Sequence, residues 1–282
     1  MTDRRRGEVF DDVAEAYDEV RRGYPASLVD AALERGALGP GSHVVEVGCG
    51  TGKLTELLVE RGLDIDAVDP GVRMIEVARR RVGAQGRVHF HVGRFEDVEL
   101  AAGSFDAVFS ATAFHWIDPS VGWRKAAELL RPGGLLALLS HRGVADERTA
   151  GFEEGFRELW ATHTPDEPRW PPLRDRGALV SDAERLRGNV SEVWQELHDG
   201  RHRMAVPEAA ELFHGAEVLT DVETVDETAE QALALLRTTS SYLRIEPDRR
   251  GAFDADLRAM YDRLGGTSRF PLLTVLVTAR RR

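Results

Sequence analysis

Between residues 44 and 140 the chain alternates short, β-prone apolar runs with helical patterns, and this alternation limits what it can fold into. The strand-like runs fall at 44–47 (VVEV), 64–68, 88–92, 106–110 (DAVFS) and 135–140 (LLALLS), with helical patterns at 53–61 and 72–82. Strands joined through crossover helices pair parallel and carry helices on both faces, which covers a sheet that is apolar on both sides. A doubly wound α/β sheet is expected, with ligands at the C-terminal ends of its strands.

The second half has a different texture. Residues 144–200 set Trp160, Trp170 and Trp194 among charged helical patterns, with a proline-rich break, TPDEPRWPP, at 164–172. This segment reads as a helical insertion or lid. A strand pattern returns at 217–225, a helix follows through Leu236, another covers 250–264, and LLTVLVTA at 272–279 is a final strand that rejoins the main sheet. The seven runs give a Rossmann-like, mostly parallel sheet. The expected division is a cap of N-terminal helices (1–36), a ligand-binding core (37–143), the insertion (144–215), and the remaining core strands with substrate-side helices (216–282).

The stretch VVEVGCGTG at 44–52 runs a strand into a glycine-rich turn. Gly48, Gly50 and Gly52 remove Cβ atoms where the backbone turns sharply or a ligand comes close. A dinucleotide fingerprint, G-x-G-x-x-G, would need its third glycine where Lys53 stands, so a pyrophosphate cradle and an NAD-dependent dehydrogenase are disfavoured. Asp69 ends the second strand, 21 positions after Gly48, where a carboxylate can accept both hydroxyls of a ribose. A ribose is implied, but no pyrophosphate cradle.

These features resemble the class I S-adenosylmethionine-dependent methyltransferases. EVGCGTG (46–52) is similar to their first motif, and Asp69 with PGVRMIEVAR to their second. GSFDAVFSATAFHWID (103–118) and LLRPGGLLALLS (129–140) are similar to their fourth- and fifth-strand regions. FDDVAEAYDEVRRGYP (10–25), AFHWIDP (113–119) and the tail TVLVTARRR resemble the branch that includes trans-aconitate methyltransferase-like enzymes.

The resemblance implies S-adenosyl-L-methionine as cofactor and S-adenosyl-L-homocysteine as product. It places Gly48, Gly50, Gly52, Asp69, Phe95 and Ser110 at the cofactor. Glu46 either touches it or accepts hydrogen bonds from loop amides, and Met74 lies near adenine or in the core. Tyr17, Arg21 and Tyr24 stand in a Y-x-x-x-R-x-x-Y-P stretch that caps the methionine end, with Arg22 replacing a frequent proline. The family's usual adenine-binding aspartate after the third strand is Arg94, which cannot accept a hydrogen bond. That task passes to Phe95 and to Glu96 or Asp97.

Trp116, Arg142, Arg237, Tyr242 and Arg244, together with Tyr24, are the candidates for holding the acceptor, and His115 either takes a proton or forms pocket wall. The first expectation for the acceptor is the carboxylate of a small organic acid, which needs no base. The alternatives are a hydroxyl, amine or carbon of a natural-product metabolite, or a protein that binds the cofactor for a pericyclic or regulatory role.

Composition narrows the remaining classes. Thirty-seven Lys and Arg stand against 48 Asp and Glu, a net charge of -11, so nucleic acid is not an expected partner. The single cysteine, Cys49, excludes a disulfide framework or thiolate cluster within one chain, and no metal is expected. The basic start MTDRRRGEVF has no apolar run behind it and no stretch is apolar enough for a membrane span. A cytoplasmic monomer or homodimer is expected.

Overall fold

The computed structural model describes residues 8–83, 87–147, 149–165, 170–198 and 203–282. The start MTDRRRG and residues 166–169 of the proline-rich break lie outside the described residues, as do 148 and 199–202 of the expected insertion.

Seven strands form one sheet: β1 (His43–Val47), β2 (Asp64–Asp69), β3 (Arg87–Val92), β4 (Phe105–Ala111), β5 (Leu130–Gly143), β6 (Phe213–Thr228) and β7 (Thr267–Arg281). Their order is β3-β2-β1-β4-β5-β7-β6. The pairs from β3 through β5 are parallel, and β7 runs antiparallel between β5 and β6. The expected doubly wound sheet is the observed one. The chain leaves β1 toward β2 on one side and reaches β4 on the other, so the crevice for a ligand opens beyond the C-terminal ends of β1 and β4.

The first five helices are α1 (Ala14–Val20), α2 (Ala26–Gly36), α3 (Lys53–Glu60), α4 (Val72–Val82) and α5 (Pro119–Leu129). Between β5 and β6 come α6 (Ala150–His163), α7 (Arg176–Arg185), α8 (Val190–Glu196) and α9 (Ala209–Leu212). Between β6 and β7 come α10 (Ala229–Leu236), α11 (Ser240–Leu243) and α12 (Pro247–Arg263).

Local chemistry sets several of these ends. Asp118 caps α5 by accepting from the Ser120 amide at 3.0 Å, and Pro119 follows at the first helical position, where its missing N–H costs nothing. Thr228 and Gln231 form a reciprocal capping box at α10. The start of α4 is capped from elsewhere in the chain: Asp11 accepts from the amides of Arg73 (2.7 Å) and Met74 (3.2 Å), which pins the N-terminal segment beside the ligand crevice.

The central strands are buried on both faces, which is why they read as unbroken apolar runs. One face packs on Trp123, Trp194 and Phe213, the other on Val29, Leu54 and Leu58. A separate aromatic cluster around Trp160, Phe253 and Tyr261 joins α6 to α10–α12.

Candidate active site

The loop after β1 takes left-handed φ values at Gly48 (70°), Gly50 (53°) and Gly52 (83°). Their reasons differ. A Cβ on Gly48 would stand 2.2 Å from the Ala113 Cβ, so β1 and β4 can end side by side only with glycine there. A Cβ on Gly52 would press on Ala78 of α4, whereas one on Gly50 meets nothing within 4 Å and would project into open space. Gly48 and Gly50 line a cavity of about 720 Å³, and Gly52 serves helix packing behind it.

Asp69 lies on the same wall. One carboxylate oxygen accepts from the Gly50 amide at 2.9 Å and the other from the Gly71 amide at 2.8 Å. Each oxygen keeps capacity for one more donor, which suits a pair of vicinal hydroxyls. Burial pushes this carboxyl up to about 6, against the pull of the two amides.

Glu46, two residues before the loop, is buried and accepts from the Thr55 hydroxyl at 2.6 Å. Burial, reinforced by Asp69, pushes its carboxyl up to about 8 from an ordinary 4.5. The folded chain therefore keeps this proton where the unfolded chain has lost it, and its contribution to stability is full below about 4.5 and falls as pH rises toward 8. Glu46→Gln should lose less melting temperature than the parent between pH 5 and 8, the gap growing by at most about 1.4 kcal/mol per pH unit. Parallel melting curves across that range would contradict a buried, protonated Glu46.

Three further sets of side chains complete the wall on the Asp69 side. Tyr17 and Arg21 enter from the N-terminal segment, with the Arg21 guanidinium 4.9 Å from the Tyr17 ring centre. Arg21 also donates to the hydroxyl (3.1 Å) and carbonyl (2.9 Å) of Thr238, tying that segment to the turn between α10 and α11. Met74 contributes from α4. After β3, Arg94, Phe95 and Glu96 all reach the wall, and Asp97 is not among its residues. Glu96 accepts from the Asp118 amide at 3.0 Å, lies 3.4 Å from Arg94, and Phe95 is buried beneath the Lys125 ammonium.

His115 and Trp116, on a short 3₁₀ turn after β4, reach the cavity, as do Arg142 at the end of β5 and Arg244 after α11. Other expected site residues are elsewhere. Glu46 and Tyr24 line a smaller adjoining recess of about 60 Å³, where the Tyr24 hydroxyl donates to Thr112 at 2.9 Å. Ser110 is buried and donates to the Val47 carbonyl at 2.8 Å, stitching β4 to β1. Arg237 and Tyr242 are not on the cavity wall: Arg237 pairs with Asp254 of α12, and the Tyr242 hydroxyl donates to the same carboxylate at 2.9 Å. Their affinity for an acid is spent within the protein.

The sequence reading missed His141, His198 and Phe10, which also line the cavity. His141 stacks flat on Tyr24, ring centres 4.9 Å apart, and burial pushes its imidazole down to about 4, so it is neutral. The signal for it was its place at the C-terminal end of β5, beside Arg142. Nothing in the sequence around His198 distinguishes it from a residue of a surface helix.

Among the described residues, no helix is long and apolar enough to cross a membrane. A model of a methyltransferase domain matches residues 45–138. An uncharacterized methyltransferase of Mycobacterium tuberculosis is 39% identical over 145 residues, 51% of this chain and 56% of the relative. A malonyl-[acyl-carrier protein] O-methyltransferase of Serratia marcescens is 31% identical over 134 residues, 44% of this chain and 50% of the relative. The alignments thus span about half the length of these curated relatives. Among solved structures, the [4+2]-cyclase SpnF superposes with a TM-score of 0.52 at 18% identity, covering 99% of this chain and 97% of that one, a likeness of fold alone. The matched stretch, 45–138, contains the glycine loop, Asp69 and the strands on either side of the switch point, and over it the chain is similar to the class I S-adenosylmethionine-dependent methyltransferases.

Proposed function

We propose that the chain methylates a small-molecule acceptor with S-adenosylmethionine, and that the acceptor group is a carboxylate of an organic acid. The observation that carries this reading is the joining of two kinds of wall in one cavity: Gly50 and Asp69 on one part, and the guanidinium groups of Arg142 and Arg244 on another. The cradle fits the cofactor. Asp69 has acceptor capacity for the ribose hydroxyls, Gly50 leaves room beside its backbone, and Phe95 reaches the wall, where its backbone N–H can serve adenine. Glu96, rather than Asp97, accepts from the adenine amino group in place of the aspartate that Arg94 replaces.

When bound, the cofactor supplies a methyl group already activated on a sulfonium. The protein's own task is to position the acceptor and exclude water. Tyr17 and Arg21, anchored to Thr238, close over the cofactor side. Arg142 and Arg244 would hold the anion with a carboxylate oxygen toward the methyl group that the bound cofactor would supply, and the products would be a methyl ester and S-adenosylhomocysteine with no proton to move. Acceptor choice belongs to the N-terminal cap (1–36), the insertion (144–215) and the helices that follow β6.

A second reading has one specific support. The Nδ1 atom of His198 lies 2.8 Å from the Trp194 carbonyl, which can only accept, so Nδ1 carries the hydrogen and Nε2 is the basic nitrogen. An imidazole fixed in that tautomer, with His115 5.4 Å away ring to ring, suits removal of a proton from a hydroxyl acceptor.

The pH dependence of single-turnover transfer separates the two. With cofactor saturating, a carboxylate acceptor gives a level rate between about pH 6 and 8, and His115→Gln keeps turnover within about fivefold. A rate that rises through a histidine-like inflection, with a loss of about 100-fold in His115→Gln or His198→Gln, would replace the carboxylate with a hydroxyl.

A further inference from the structure

The cavity has a built aromatic side, which begins at Tyr17 on the Asp69 wall. Tyr17, Phe10, Trp116, His115, His198 and Trp194 form an unbroken series of rings, each centre 4.3 to 5.9 Å from the next. All but Trp194 line the cavity, and Trp194 backs the series from the core. The rings come from four separate places: the N-terminal segment (Phe10), α1 (Tyr17), the turn after β4 (His115, Trp116) and the end of α8 (Trp194, His198). Trp170 adds a further indole, held by stacking on Trp160 at 5.5 Å and by Arg157, which donates to its carbonyl at 3.0 Å.

The wall also carries polar groups. Ser140 and Arg142 come from β5, Ser240 and Ser241 from α11, and Arg244 from just beyond it. A surface made of ring faces and edges favours a flat, unsaturated body over a saturated one, through offset or edge-to-face contacts that a puckered ring cannot make. It disfavours a compact acid with carboxylates on several sides, because those set against ring faces would lose more water than the few donors on the ring edges replace. Guanidinium and hydroxyl groups at the polar part suit one anionic head.

We infer that the acceptor is a planar, conjugated or aromatic monocarboxylic acid lying along the Trp116–His115–His198 part of the series, and not a saturated acid or a small polycarboxylate. This inference rests on the carboxylate reading above, and binding and product formation test the two separately. The probes are cinnamate, its saturated analogue 3-cyclohexylpropanoate, and tricarballylate. Binding is read by quenching of tryptophan emission with S-adenosylhomocysteine present, and product by mass spectrometry of reactions supplied with S-adenosylmethionine.

Cinnamate should bind at least tenfold more tightly than either other probe. Trp116→Leu should abolish most of that preference and leave S-adenosylhomocysteine affinity within twofold. Equal or weaker binding of cinnamate, or an undiminished preference in Trp116→Leu, overturns the planar class even if esters are formed. Tight binding of cinnamate with no ester formed from any of the three acids sinks the carboxylate reading instead.

Discussion

Asp69→Ala is expected to weaken S-adenosylhomocysteine binding by about 100- to 10,000-fold. Two charge-assisted hydrogen bonds to the ribose, at about 1.5 to 3 kcal/mol each, are lost together, and every 1.4 kcal/mol is about tenfold in affinity. The side chain also holds the amides of Gly50 and Gly71, so the loop is less well ordered for the ligand in the variant. The pH dependence gives an independent check. Burial lifts the Asp69 carboxyl to about 6, and the ionised form is the one that accepts from two hydroxyls. Affinity should be full above pH 6, fall by up to about tenfold per pH unit below it, and lose this dependence in Asp69→Ala. Calorimetry on both proteins between pH 5 and 8 measures each effect, and unchanged binding in the variant would remove Asp69 from the cofactor site.

Gly48→Ala should be the most destabilising of the loop substitutions, by about 3 kcal/mol. A non-glycine residue in the left-handed region costs about 1 to 2 kcal/mol, and forcing a methyl into a filled space about 1 to 3. The new Cβ would meet that of Ala113 at 2.2 Å. Gly41 supplies the control: its φ is 84°, nothing lies within 4 Å of an added Cβ, and Gly41→Ala should cost only the backbone part, about 1 kcal/mol. Gly50→Ala has the same open surroundings and should resemble Gly41→Ala in stability, yet lose cofactor affinity because its Cβ enters the cavity. Urea midpoints and titrations with S-adenosylhomocysteine separate these cases. Equal loss of stability in Gly48→Ala and Gly41→Ala would refute the contact with Ala113.

How much of this was legible in the sequence depended on what each residue answers to. The strands beside the switch point are readable because Val44, Val45, Ala107, Val108 and Leu135–Leu139 are buried on both faces and leave an unbroken apolar run. The early start of β5 is not, because Arg131–Gly133 are exposed and carry turn-like residues, though Leu130 pairs with Phe105. Most of β6 has one exposed side and polar residues such as Glu217, Asp221 and Glu223 along it, so its full extent from Phe213 to Thr228 stays hidden.

The candidate site divides in the same way. Gly48, Gly50 and Asp69 are legible because their spacing is set by local backbone geometry, a strand, a turn and the end of the next strand. Arg237 and Tyr242 illustrate the opposite case: only the packing of α12 brings Asp254 to them, from 17 and 12 positions further along the chain. Phe10, His141 and His198 line one cavity from three distant segments, and only His141, at the end of β5, had a local signal for it.

Transfer of a labelled methyl group tests the central claim most directly. The chain is incubated with S-adenosylmethionine carrying an isotopic methyl and with an organic acid acceptor, and the product is then exposed to mild alkali. The account predicts label in the product in step with S-adenosylhomocysteine, dependent on Asp69, and released by alkali as methanol because it sits in an ester. Label that survives alkali as an ether or N-methyl group would contradict the carboxylate acceptor, and cofactor binding with no label in any acceptor would contradict methyl transfer itself.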